Sequence, residues 1–135
     1  MKKILLILIA ILTISLTSCN SDDPEPSKKE LLTDKSWKII KSEIFLEDNL
    51  VEIVQNTNNR RVKFNDDNTG HFSTDEDLEV LTWSFSDSKS KLIITQDGET
   101  EVLNIHKLTN SKLTLINTNL PLQDNVDKSI MYLKH

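Results

Sequence analysis

The sequence predicts an all-β domain, a small antiparallel up-and-down barrel of about eight strands, behind a cleaved leader and a flexible tether. Two observations lead to this prediction. No apolar stripe with helical spacing persists through residues 31–135. Short runs rich in Ile, Val, Thr, Phe and Trp recur there between clusters of Asn, Asp, Ser and Gly, as is typical of antiparallel strands and turns. Closing such a sheet into a barrel removes its exposed edges.

Composition narrows the function classes. The 135 residues suit one domain, and 16 basic against 21 acidic side chains give a net charge of −5. This balance disfavours a nucleic-acid partner, which requires a basic footprint. One Cys excludes an internal disulfide, and three scattered His give no zinc or haem spacing. We therefore predict no cofactor and no metal site.

The first 18 residues differ in kind from the rest. Lys2 and Lys3 precede an uncharged apolar run over residues 4–16, and small residues follow at once. These are the parts of a secretory signal peptide. Thirteen helical residues reach only about 20 Å, which is short of the roughly 30 Å apolar core of a bilayer. A permanent transmembrane helix is therefore disfavoured.

The apolar run ends in Leu16, Thr17, Ser18 and Cys19. This sequence resembles the lipobox of bacterial lipoproteins. The resemblance implies that a diacylglyceryl group alkylates the Cys19 thiol, that the signal is cut before it, and that a fatty acid such as palmitate acylates the new amine. Cys19 is thus the predicted lipidation site and the membrane anchor. An ordinary signal peptide that ends near a free Cys is the alternative.

Residues 19–30 are predicted to be the acylated Cys and a disordered tether. Residues 20–30 contain no Leu, Ile, Val or aromatic side chain, so they bury too little apolar surface to order themselves. The acidic run at residues 21–25 resembles an export signal of Gram-negative lipoproteins. It implies an outer-membrane, lipid-anchored location with exposure at the cell surface. A solvated linker explains the run equally well, and the choice of leaflet stays open.

The clearest hairpin surrounds Asp97 and Gly98. Asp-Gly favours the positive φ angles of a type I′ turn, and a two-residue turn there places Leu92 opposite Leu103. Leu92 and Leu103 then share the core face of the sheet.

A second hairpin is predicted at residues 110–111, where it pairs Leu108 with Leu113. Ile105 and Leu108 cannot lie on one face of a regular strand. Either a bulge lies near His106 or that side chain points inward, and we favour the bulge.

Other segments are less regular. A short helical turn is expected at residues 28–32, and residues 129–134 are predicted to form a closing strand. Asn68 occupies a turn position that favours left-handed backbone. Residues 44–59 fit either a hairpin turning at residues 48–49 or a strand and a long loop.

The order of these features resembles the lipocalin-like domain of small bacterial lipoproteins. Trp37 opens the first strand, a Val-x-Phe-x-x-Asp-x-x-Gly hairpin follows at residues 62–70, and a Trp-x-Phe strand at residues 83–85. The resemblance spans most of residues 31–116. It implies that the barrel, residues 31–135, binds a small hydrophobic ligand at one mouth. The candidate ligand contacts are Trp37, Phe64, Phe72, Trp83, Phe85 and His106.

The same large side chains also predict a nearly solid barrel interior. The alternative is a pocket at the open end of the barrel, with residues 44–59 as its walls. No Ser lies in a Gly-x-Ser-x-Gly motif, and the sequence does not establish a pair of Asp or Glu side chains on opposed strands. We therefore predict that the domain is not an enzyme. The alternative function is a protein-interaction or inhibitor module, in which loop residues 56–61 of a filled barrel contact a partner of unknown identity.

Overall fold

The computed structural model describes residues 24–120 and 126–135. The leader, Cys19 and the start of the tether lie outside the described residues. In the described ranges one helix precedes nine strands, which are α1 (Lys28–Thr33), β1 (Trp37–Leu46), β2 (Asn49–Gln55), β3 (Arg61–Phe64), β4 (Thr69–Ser73), β5 (Leu78–Phe85), β6 (Lys91–Gln96), β7 (Glu99–Leu108), β8 (Lys112–Asn117) and β9 (Lys128–Lys134).

Eight of these strands form a closed antiparallel barrel. Strands β3 to β9 pair in chain order, β3 pairs with the start of β1, and β9 returns to the other edge of β1. The closing seam runs from Lys38 opposite Lys134 to Phe45 opposite Lys128. The predicted up-and-down barrel is thereby confirmed. Among the described strands, β2 is an addition that pairs with β1 alone.

Helix α1 covers one end of the barrel, which we call the plug end. Ser27 and Glu30 form a capping box that satisfies free N–H groups of the first turn. Leu32 is fully buried, and its carbonyl oxygen accepts the indole N–H of Trp37 at 2.9 Å. Because the helix begins at Lys28, the last three residues of the predicted tether belong to the folded domain. They order because the cap and the burial of Leu32 offset the entropy cost.

The two predicted hairpins have the expected register. Leu92 lies opposite Leu103, and the turn residues Asp97 and Gly98 have φ angles of 50° and 83°. Leu108 lies opposite Leu113. The register shifts between Ile105 and Lys107, which makes His106 the bulge residue, and its side chain is exposed. The bulge returns Leu108 to the core face, as predicted.

Residues 44–59 begin with a hairpin, so the first of the two alternatives is correct. Its turn lies at Glu47 and Asp48, with φ angles of 49° and 61°, one residue earlier than expected. Strand β2 projects beyond the barrel and buries neither face. Its apolar side chains are 45–53% exposed, namely Leu50, Val51, Ile53 and Val54.

The turn between β3 and β4 places Asn68 at a φ of 68°, the left-handed conformation that its sequence position favours. The Asn68 side chain then donates to the carbonyl oxygen of Trp83 at 3.0 Å. The turn is thus bonded to the neighbouring strand β5. Among the residues that the structure describes, no helix has the length and apolar character that crossing a membrane requires.

Candidate ligand-binding cavity

The half of the barrel farther from α1 contains a cavity of about 390 Å³. It opens at the end of the barrel that carries the β6–β7 turn, which we call the mouth. This volume lies within the range of about 300–1,000 Å³ that is usual for small-molecule sites. The apolar side chains that line it come from seven strands and are Ile39, Val62, Phe64, Phe72, Ile94, Leu103, Leu115, Met131 and Leu133.

The cavity lies at the mouth because the bulky side chains cluster at the plug end. Trp83 packs edge-on against Phe64 and Phe85, with ring centroids 5.8 Å and 5.4 Å away. Trp37 is fully buried and stacks on the ring of His135, 3.8 Å between centroids. The inward positions closer to the mouth carry mainly aliphatic and polar side chains. Within the described ranges, side chains therefore fill the plug half and leave the cavity in the mouth half.

The cavity rim, which we define as Arg60, Gln96, Asp97, Glu99 and Glu101, is polar and mainly acidic. Alternation along β7 gives Glu99, Glu101 and Leu103 the same inward parity. Glu101 lies directly opposite Ile94, and Glu99 opposite Gln96. Along β7, the side chains that face the cavity thus change from apolar at Leu103 to acidic at Glu101, two residues away.

Arg60 supplies the basic side chain of the rim. Its guanidinium carbon lies 4.9 Å from the centre of the Phe72 ring, and Nη2 lies 3.5 Å from Oε2 of Glu79. The same carboxylate oxygen accepts a hydrogen bond from Nε2 of Gln96 at 3.0 Å. Both partners of the ion pair are about half exposed, so the pair contributes little to stability. Its effect is to hold Arg60 against Phe72.

The structure brings together two of the six predicted ligand contacts, Phe64 and Phe72. Trp37 and Trp83 do not line the cavity, because their rings fill the plug half. The Trp83 indole N–H is satisfied by the carbonyl oxygens of Asn65 and Thr69. Phe85 packs on Trp83 at the same end.

His106 also lies away from the cavity. The bulge turns its side chain outward to solvent, so it offers no polar group to the lumen. Residues 44–59 do not line the cavity either, because they form the projecting hairpin and the chain that follows it.

Sequence reasoning missed the rim. The signal was present, since extending the inward set from Leu103 by two alternating steps reaches Glu101 and then Glu99. Arg60 carried no such signal, because it precedes β3 and its direction depends on Glu79 and Phe72.

Two carboxyl groups with lowered pKa values lie outside the cavity. The Lys41 ammonium and then the Tyr132 hydroxyl, both bonded to the Glu43 carboxylate, lower the pKa of Glu43. The hydroxyl and the backbone N–H of Thr69 lower the pKa of Asp67. Both groups hydrogen-bond within the barrel framework, and we assign them a structural role.

The closed barrel, its helical plug and the cavity with its apolar wall define the class of small up-and-down β-barrels with a lumen. A family model described as a lipocalin-like domain matches residues 33–115. The match covers more than half of the chain, so this protein belongs to the lipocalin-like domain family. No curated protein matches the sequence.

Proposed function

We propose that the domain binds a small hydrophobic molecule in the cavity at the mouth. The observation that carries this proposal is a cavity of about 390 Å³ with an apolar wall and a polar rim, inside a barrel whose other half is filled by bulky side chains. Membership of the lipocalin-like family supports it, because such a barrel is compatible with an apolar ligand.

Energetics favour an occupant. Side chains such as Val62 and Leu103 are 2% and 5% exposed, yet they border space that no atom of residues 24–120 and 126–135 fills. An apolar molecule there would remove its own apolar surface from water and gain about 25 cal/mol per Å² buried. The wall below the polar rim is aliphatic and aromatic, so this wall selects by size and polarity more than by hydrogen bonding.

Binding is tested with an uncharged naphthylamine dye whose fluorescence rises in apolar surroundings. Met131 lines the cavity from β9 and is only partly buried, so Met131→Trp should fill the cavity without a large clash. We expect the dye to bind the unmodified domain, and Met131→Trp to weaken binding at least tenfold, which is about 1.4 kcal/mol.

Met131→Leu is the matched control, since it conserves volume and polarity and should bind the dye as the unmodified domain does. Circular dichroism melts establish that both variants are folded. Absence of dye binding by the unmodified domain, or equal binding by the Trp and Leu variants, would refute a ligand site in this cavity.

We propose further that Cys19 anchors the domain to the outer membrane through covalent lipid and that the domain is not an enzyme. The lipobox residues 16–19 and the basic, apolar leader before them support the anchor. Two or more acyl chains hold a protein on a bilayer stably, whereas one chain binds reversibly.

The anchor is tested by Cys19→Ser in the full chain. We expect this variant to keep an uncut leader and to lose its acyl mass. A variant that still floats with membranes and shows the same processed mass as the unmodified chain would overturn the anchor. Thr17→Ser keeps a small residue at its position and serves as the control.

A protein-interaction module is the second candidate, and strand β2 is the observation that favours it. Its four apolar side chains are 45–53% exposed on a strand that, among the described strands, pairs on one edge alone. Free strand edges pair with added strands. Native mass spectrometry of the gently extracted domain separates the candidates, because bound lipid supports the first and a bound protein supports the second.

A further inference from the structure

An acidic side chain, Glu101, lies directly beside the apolar wall of the cavity. Glu101 faces the lumen directly opposite Ile94, which is 6% exposed and belongs to the buried core. Opposite residues of an antiparallel pair have Cβ atoms about 4.5–5.5 Å apart. A molecule that contacts Ile94 therefore places its outer end beside the Glu101 carboxylate.

The rest of the rim adds to the negative charge. Asp97 and Glu99 also line the cavity on the β6–β7 hairpin. Their carboxylates have no hydrogen bond or ion pair to a protein group within residues 24–120 and 126–135, and the same holds for Glu101. These three acidic groups are available to a ligand.

Arg60 supplies the one guanidinium that the described residues place in the lining, and it does not balance these carboxylates. Arg60 is already paired with Glu79 at 3.5 Å and rests on the Phe72 ring. A ligand anion would have to compete with Glu79 for Arg60 and would face Glu99 and Glu101 across the opening. A ligand cation meets unpaired carboxylates.

We infer that the cavity takes an amphiphile with an apolar body and a cationic head, such as an alkylammonium compound. This inference rests on the proposed ligand-binding function and specifies its ligand class. The body contacts the aliphatic wall around Ile94 and Leu103, and the ammonium group lies between Glu99 and Glu101. The same carboxylates disfavour a fatty-acid anion.

The experiment measures displacement of the uncharged dye by three decyl amphiphiles below their micellar concentrations, in low salt. The three are decyltrimethylammonium, decyl sulfate and nonionic decyl maltoside. We expect decyltrimethylammonium to displace the dye at about one tenth of the concentration that decyl sulfate requires, because the cation gains and the anion loses at the same carboxylates. The difference should shrink as salt is added.

Glu101→Gln should reduce the ratio between the two ionic competitors by about threefold, since it removes one carboxylate at constant shape. Asp87→Asn removes one negative charge from an exposed turn at the plug end and should leave the ratio unchanged. A general effect of net charge would instead move both variants equally, and would overturn the inference.

The outcomes also separate this inference from the function on which it rests. Dye binding with equal displacement by cation and anion leaves the hydrophobic site standing and overturns the cationic ligand class. Stronger displacement by decyl sulfate overturns it as well. If the dye does not bind at all, the ligand site and the inference both fail.

Discussion

Tyr132 donates its phenolic hydrogen to Oε2 of Glu43 at 2.8 Å, across the seam at which β9 meets β1 and the barrel closes. Lys41, whose ammonium lies 4.7 Å from the centre of the Tyr132 ring, bonds the other oxygen of the same carboxylate. The bond to Glu43 raises the pKa of Tyr132 above its ordinary value of 10.0.

Tyr132 is the one tyrosine of the sequence, so tyrosinate absorbance reports this group alone. We predict a titration midpoint above 10.0 in the folded domain, and a lower midpoint in Glu43→Ala, which removes both the acceptor and the charge. Because the folded-state pKa is raised, this stabilisation is complete below pH 10.0 and is lost as the pH rises through the folded value. Glu52→Ala, on exposed β2, is the control. Identical midpoints for Glu43→Ala and the unmodified domain would contradict the assignment.

Trp83 is 3% exposed, and two carbonyl oxygens accept its indole N–H. We predict that Trp83→Ala lowers the free energy of unfolding by about 3–5 kcal/mol, since it leaves a cavity in the plug half. Thr82→Ala, at the exposed neighbouring position, should cost less than about 1 kcal/mol. Chemical denaturation measures both. A Trp83 variant as stable as the Thr82 variant would show that the ring does not support the core.

Gly70 lies where β3 and β4 approach closely. A Cβ atom there would lie 2.3 Å from the carbonyl oxygen of Lys63, which is backbone and cannot rotate away. Gly70→Ala should therefore destabilise the domain by about 3 kcal/mol or more. A Cβ atom at Gly98 meets no atom of the described residues within 4 Å, so Gly98→Ala should cost only about 1–2 kcal/mol for its left-handed φ. Equal unfolding midpoints for the two variants would refute the steric explanation.

Asp67 gives the turn between β3 and β4 a pH dependence. The hydroxyl and N–H of Thr69 both donate to its Oδ1, and the pKa of Asp67 falls below its ordinary value of 3.8. A lowered folded-state pKa means that the stabilisation is complete well above pH 3.8 and is lost as the pH falls through the folded value.

A double-mutant cycle tests this coupling. It combines Asp67→Asn with Thr69→Val, and unfolding is followed at neutral pH and at successively lower pH. We expect a favourable coupling at neutral pH that declines in acid, because protonated Asp67 loses its charge-assisted bonds. A coupling that does not vary with pH would rule out Asp67 as its source.

The sequence predicted local geometry well wherever turn chemistry decides it. Asp97 and Gly98 set the register that places Leu92 opposite Leu103, and Asn68 takes the left-handed conformation. The sequence pattern also predicted the bulge at His106, because Ile105 and Leu108 can lie on one face only if an extra residue stands between them.

The candidate site was predicted less well from the sequence. Whether an inward ring fills the lumen or borders a cavity depends on its height in the closed barrel, which strand tilt and stagger determine. Trp83 and Phe72 have the same parity signal, yet one fills the plug half and the other lines the cavity. The direction of Arg60 depends on Glu79, a residue from a strand that is distant in sequence.

Helix α1 also determines at which end of the barrel the N-terminal segment joins the domain. Residues 24–27 run into α1 at this end, where Lys28 bonds the carbonyl oxygen of Lys89 in the β5–β6 turn. The β6–β7 turn and the opening lie at the far end of the same strands. A bead, chip or fusion partner coupled ahead of residue 24 would therefore join the domain at the plug end, opposite the end of the barrel at which the cavity opens.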